Sequence, residues 1–144
     1  MSQTESDAAA ISRAVMGLSR RLRAEQPEQA VGLTALGVLA SLQRSGPLSA
    51  AQLAADQRLQ PQSLTRVLGE MERSALIRRK RNPADRRALI IEITPIGRHR
   101  LASDVRQGQG WLDQAMAAKL TVAERAILRL AAYLMQKLAS DADV

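Results

Sequence analysis

Residues 78–87 read Arg-Arg-Lys-Arg-Asn-Pro-Ala-Asp-Arg-Arg, six cations in ten positions around a turn-forming Asn-Pro-Ala-Asp. Like charges packed so tightly repel one another, and such a cluster points to a polyanionic partner. Upstream, Pro61, Gln62, Ser63, Thr65 and Arg66 fall in the first turns of a helical pattern. Gln can pair bidentately with adenine and Arg with guanine, so this set has the chemistry to read base edges. Other chemistries lack their parts. There is no Cys, and His99 is the only histidine. Zinc asks for about four ligands, so no metal site is expected. No nucleophile elbow, phosphate loop or H-E-x-x-H occurs, and Gly108-Gln109-Gly110 sits inside a helical pattern, not in a dinucleotide loop. No enzymatic activity and no cofactor are expected.

The charge is localised. The chain of 144 residues carries a formal +7. Residues 58–87 hold nine Lys/Arg against three acids, while residues 1–57 hold five of each and residues 88–144 hold seven against six. Nearly all of the excess therefore lies in one segment, the footprint of a phosphate-binding face. RNA modules usually stack bases on aromatic side chains, and this chain has one Trp, one Tyr and no Phe. Double-stranded DNA is the better match. The opening residues are polar and acidic, unlike a secretory signal. No run reaches the roughly 18 apolar residues of a membrane span. A cytoplasmic location without membrane contact is the expectation.

Twenty Leu and many Ala favour helices packed on helices. The periodicity predicts a first helix over about Asp7–Glu25, stopped by Gln26-Pro27, and a buried second helix capped by Thr34 and ended by Ser45-Gly46-Pro47. Ser49 and Gln52 form a capping box for a short third helix. Pro61 opens a fourth, whose apolar residues are Leu64, Val67, Leu68 and Met71. Strands follow at Leu76–Arg81 and Leu89–Thr94, with Leu89, Ile91 and Ile93 turned to the core. Thr94-Pro95 starts a long helix through Trp111 to about Ala118. A second capping box, Thr121 to Glu124, begins the last helix, which carries Ile127, Leu130, Leu134 and Leu138.

This order places a helix-turn-helix directly before a basic hairpin, the plan of a winged helix. The stretch Asn82-Pro83-Ala84-Asp85-Arg86-Arg87, followed by Ile93-Thr94-Pro95-Ile96-Gly97-Arg98, resembles the wing of the multiple antibiotic resistance regulator (MarR) family. That pattern is close to D-P-x-D-R-R and then L-T-x-x-G-R. Asn82 and Ile93 depart from it. The resemblance covers nearly the whole chain, and the absence of Cys sets it apart from the family's peroxide-sensing thiol branch.

The resemblance implies a mainly α fold with a two-stranded β wing and a homodimer on a pseudo-palindromic operator. It implies an N-terminal dimerisation helix in 1–30, a winged helix-turn-helix in 31–98 and C-terminal dimerisation helices in 99–144. Arg81, Asn82, Asp85, Arg86 and Arg87 would form the DNA-binding wing, with Asp85 bracing Arg86 or Arg87. It also implies a phenolic or other small anionic effector, for which Met16, His99 and Trp111 are the candidate lining. The apolar stripes of the first and last helices independently favour association. A non-specific nucleic-acid-binding or architectural protein is the alternative reading.

Overall fold

The computed structural model describes residues 6–25 and 31–140. Among these, six helices and one hairpin follow the expected order: α1 (Asp7–Ala24), α2 (Leu33–Ser45), α3 (Ala50–Asp56), α4 (Pro61–Arg73), β1 (Ile77–Arg81), β2 (Leu89–Ile93), α5 (Pro95–Lys119) and α6 (Val122–Ala139). The Gln26-Pro27 stop lies outside the described residues. Two compact units divide the chain: one holds the residues up to Glu25 and from Gly108 on, and the other runs through Gln107. No described helix is long and apolar enough to cross a membrane.

The second unit holds the core. Val38, Leu39 and Leu42 of α2 pack with Leu53 of α3, Leu64, Leu68 and Met71 of α4, and Ile77, Ile91 and Ile93 of the hairpin. Their spacing on α4 leaves one apolar stripe inside and the polar residues outside. The start of α2 differs from the Thr34 cap. Gly32 is the N-cap, with no side-chain hydrogen bond. The physical cause is remote in sequence: the buried carboxylate of Asp104 accepts the Val31 amide at 3.1 Å and holds the chain entry two residues before Thr34. Both capping boxes form as read, Ser49 with Gln52 and Thr121 with Glu124.

Helices α3 and α4 end alike. Arg58 and Ala75 adopt positive φ, 50° and 58°. After α3, Leu59 N–H donates to Ala54 and Arg58 N–H to Ala55. After α4, Leu76 N–H donates to Met71 and Ala75 N–H to Glu72. Each is a Schellman stop with a non-glycine residue at the left-handed position.

The strands pair antiparallel, Ile77 with Ile93, Arg78 with Glu92, Arg79 with Ile91, Lys80 with Ile90 and Arg81 with Leu89. Leu48, just before α3, bonds both ways to Ile91 and adds a single bridge on the far side of β2. Ile91 and Ile93 anchor the hairpin as expected, but Leu89 is 53% exposed. It lies opposite Arg81 at the outer end of the ladder, beyond the reach of the core.

Candidate nucleic-acid interface

Helix α4 presents its start to solvent. Gln60 makes no side-chain cap, and Pro61 has no amide to satisfy. The Gln62 and Ser63 amides in this first turn lack intrahelical acceptors, which leaves donors and the positive end of the helix dipole on the surface. Gln62, Ser63, Thr65 and Arg66 are all exposed. Two of the four are already engaged. The Thr65 hydroxyl donates to the Pro61 carbonyl at 2.8 Å, and the Arg66 guanidinium lies 3.2 Å from Glu70 one turn on.

The turn that sets α4 against α3 is pinned to α2 by a polar cluster. The buried Ser41 hydroxyl donates to the Asp56 carboxylate in a short hydrogen bond. Gln57 Nε2 donates to Ser41 at 2.9 Å and to Asp56 at 3.0 Å, and Arg44 stands 3.7 Å from Asp56. A side chain at Gly37 would collide with the Gln57 amide, so glycine makes the room for this contact. The Ser41 hydrogen bond holds the Asp56 carboxyl below its ordinary 3.8, against the opposing effect of burial, with Gln57 and Arg44 adding to it. A depressed carboxyl stabilises the fold above its unfolded value and ceases to do so as pH falls through the folded one. Asp56→Asn is therefore expected to lower the urea midpoint at about pH 7, with the deficit shrinking as pH falls below the ordinary carboxyl value of 3.8, where the unfolded chain takes up the proton first. A deficit independent of pH would mean that the carboxylate charge is not what holds the turn.

The hairpin sorts its cations. Glu92 takes Arg78 Nε at 2.7 Å on one oxygen and Lys80 Nζ at 3.2 Å on the other. Hydrogen bonds from Arg78, then Lys80, keep its carboxyl below the usual glutamate value. Arg79 pairs with Glu72 at 3.1 Å. Arg81 donates to the Arg86 carbonyl at 2.9 Å. The guanidinium groups of Arg86 and Arg87 make no ion pair or hydrogen bond among the described residues, and both are exposed. The tip that carries them is shaped by two side-chain turns: Asn82 Oδ1 accepts the Ala84 amide and Asp85 Oδ1 accepts the Arg87 amide, each at 3.0 Å. Asp85 thus holds Arg87 through its backbone amide, with its carboxylate turned into its own loop and no ion pair to Arg86 or Arg87 among the described residues.

Sequence reasoning missed the acids. The Arg66–Glu70 spacing of one helical turn was available as a signal, but Glu72 and Glu92 meet their partners only across elements.

In the other unit, a cavity of about 300 Å³ is lined by Leu18, Arg21, Trp111, Leu112, Ala115, Met116, Lys119, Leu120 and Leu128. The Arg21 guanidinium stands 5.6 Å from the Trp111 ring centre. Met16 does not line this cavity and is 60% exposed. His99 is exposed and belongs to the core-bearing unit. No group of three metal-ligating side chains occurs among the described residues.

A family model, that of the MarR family, matches residues 32–89. An HTH-type transcriptional regulator of Mycobacterium tuberculosis is 34% identical over 131 residues, 91% of each chain. An uncharacterized HTH-type transcriptional regulator of Mycobacterium leprae is 32% identical over 128 residues, 89% of each. Among solved structures, the apo form of wild-type E. coli MarR aligns with a TM-score of 0.79 at 20% identity, covering 96% of this chain and 100% of that one. Bordetella bronchiseptica BpsR, whose DNA binding is regulated by 6-hydroxynicotinic acid, aligns at 0.74 with 22% identity over 99% of both.

Proposed function

Because the chain belongs to the MarR family of DNA-binding transcriptional regulators, we propose that it acts in the cytoplasm as a homodimeric repressor with one winged helix per operator half-site. Gln62, Ser63, Thr65 and Arg66 enter the major groove from the start of α4, and Pro61 sets that start. Arg86 and Arg87 reach the minor groove or its phosphates, with Arg81, Asn82 and Asp85 shaping the tip. The observation that carries this reading is the pairing of an uncapped, exposed helix start with two unpaired arginines on the same compact unit. On this reading residues 31–98 bind DNA, and 1–30 with 99–144 form the dimer.

Dimerisation is supported by the uncovered apolar side chains of the other unit. No described residue of α1 or α6 is buried, and Ile127 and Leu138 are 67% and 82% exposed. Apolar stripes of this length normally meet a partner, and a two-fold copy matches a pseudo-palindromic site. The Trp111 cavity, apolar with Arg21 and Lys119 among its lining, suits a small aromatic anion as effector. Regulation of BpsR by 6-hydroxynicotinic acid lends that class weight. Met16 and His99, which stand outside this cavity, are weaker members of the ligand set.

The test is selection of duplexes from a randomised pool, followed by titration of the selected and a scrambled duplex. The expected result is an enriched pseudo-palindrome bound by two chains, with half-sites about one helical turn, roughly 34–36 Å, apart. Specific binders exceed their own non-specific affinity by about 10³-fold or more. Equal affinity for both duplexes would instead establish the non-specific, architectural reading.

A further inference from the structure

Strand β1 is basic at four of its five positions, Arg78, Arg79, Lys80 and Arg81. A DNA-binding protein gains non-specific affinity from every cation that reaches a phosphate, whatever the sequence beneath it. Phosphate contacts position a specific binder, but each added cation that reads no base raises affinity for the wrong DNA as well, so discrimination improves when surplus cations are held back from the backbone. The hairpin contains a device for this. Glu92 stands directly across the ladder from Arg78, and Lys80 is two residues along the same strand, on the same side of the sheet. One carboxylate takes both cations on separate oxygens, at 2.7 Å and 3.2 Å. The Glu92 side chain is 20% exposed while Arg78 and Lys80 are 64% and 43% exposed, so the device rests on one carboxylate joining both cations in a network and not on shielding from water. Arg86 and Arg87, at the tip, have no such acid among the described residues.

We propose that Glu92 is a specificity-determining residue of this regulator: by holding Arg78 and Lys80 against the hairpin it suppresses binding to non-operator DNA and leaves the reading to the tip and to α4. This rests on the functional reading given above. It assigns Glu92 a role opposite in sign to that of an ordinary wing residue, since losing it tightens binding to the wrong DNA. Neutralising Glu92 adds one unit of positive charge and frees two side chains. Each cation that then finds a phosphate raises affinity about fivefold at 0.15 M salt and steepens the salt dependence by about 0.9. The gain is largest on scrambled DNA. On the selected operator the tip already fixes the register, so the hairpin face adds less.

The experiment compares wild type, Glu92→Gln and the triple variant Arg78→Gln/Lys80→Gln/Glu92→Gln on the selected and scrambled duplexes across a salt series. Circular dichroism and urea midpoints check the fold. Glu92→Gln is expected to bind the scrambled duplex roughly 5- to 30-fold more tightly, with a slope steeper by about 1–2, and to discriminate less between the duplexes. The triple variant should lose that gain. A scrambled-duplex affinity within twofold of wild type, or a parallel loss on both duplexes as from a damaged hairpin, overturns the proposal. So does a gain that persists in the triple variant. If Glu92→Gln does not fold, Arg78→Gln/Lys80→Gln with Glu92 intact decides. Near-wild-type scrambled-duplex affinity supports the proposal, and a tenfold loss shows that these cations were already on phosphates. A wild type that binds both duplexes equally overturns the functional reading itself, a result distinct from any of these.

Discussion

Gly97→Ala is expected to destabilise the core-bearing unit by about 1–3 kcal/mol, the usual cost of overpacking, or somewhat more because the clash is with backbone, and to lower the urea midpoint with little change in slope. A Cβ there would lie 2.1 Å from the Leu76 carbonyl oxygen and 3.0 Å from Ile93 Cγ1. Neither can yield easily. The Leu76 carbonyl accepts the Thr94 amide at 3.1 Å, and Ile93 belongs to the core. Thr94 ties the same corner twice more, donating from its hydroxyl to Ala75 at 2.5 Å and accepting from the Gly97 amide at 3.0 Å. Alanine is the better helix former by about 1 kcal/mol, so intrinsic propensity predicts the opposite sign. Gly69→Ala supplies the control. Its new Cβ would meet only Arg73 Nη1 at 3.7 Å, an ordinary contact, and should stabilise α4 by up to about 1 kcal/mol. A Gly97→Ala protein as stable as wild type would show that α5 does not abut the hairpin base so closely. The Thr-x-x-Gly stretch at residues 94–97 thus has a mechanical basis: it lets a helix start hard against the root of the wing.

That corner shows where the sequence was legible and where it was not. The elements announced themselves through local signals: Ser49 with Gln52, Thr121 with Glu124, Pro61 at a helix start and Thr94 before Pro95. Each acts within one turn of chain, so reading the sequence suffices. The ends of α3 and α4 gave no such sign, because Arg58 and Ala75 occupy left-handed positions where glycine is the usual marker. The start of α2 depends on Asp104, 73 residues away from the amide it holds. The candidate site was legible as a charge cluster, but not as a sorted one. Which arginines are free depends on Glu72 and Glu92, and those pairs exist only once α4 and the two strands are side by side. Composition counted six cations in 78–87; the fold leaves Arg86 and Arg87 as the two whose guanidinium groups have no partner among the described residues.

Removing those two should have the largest effect on DNA binding. Arg86→Ala/Arg87→Ala is expected to weaken the selected duplex about 30-fold at 0.15 M salt and to lower the salt slope by about 1.8, if each neutralises one phosphate. Stability should hardly change, since neither guanidinium is bonded to the described residues. A falling unfolding midpoint alongside the lost affinity would move these residues from contact to scaffold. Asp85 then separates charge from shape. A charge-only wing gains affinity from either Asp85→Ala or Asp85→Asn, because both remove a negative charge beside the arginines. The structure predicts that they diverge. Asparagine can still accept the Arg87 amide with its side-chain oxygen and keep the turn, so Asp85→Asn should bind as tightly as wild type or more so. Alanine cannot, so Asp85→Ala frees the backbone that aims Arg87 and should bind several-fold more weakly. Titrations of the three proteins on one duplex decide it. If both variants tighten binding, Asp85 restrains charge; if only the alanine weakens it, Asp85 sets the direction in which the arginines point.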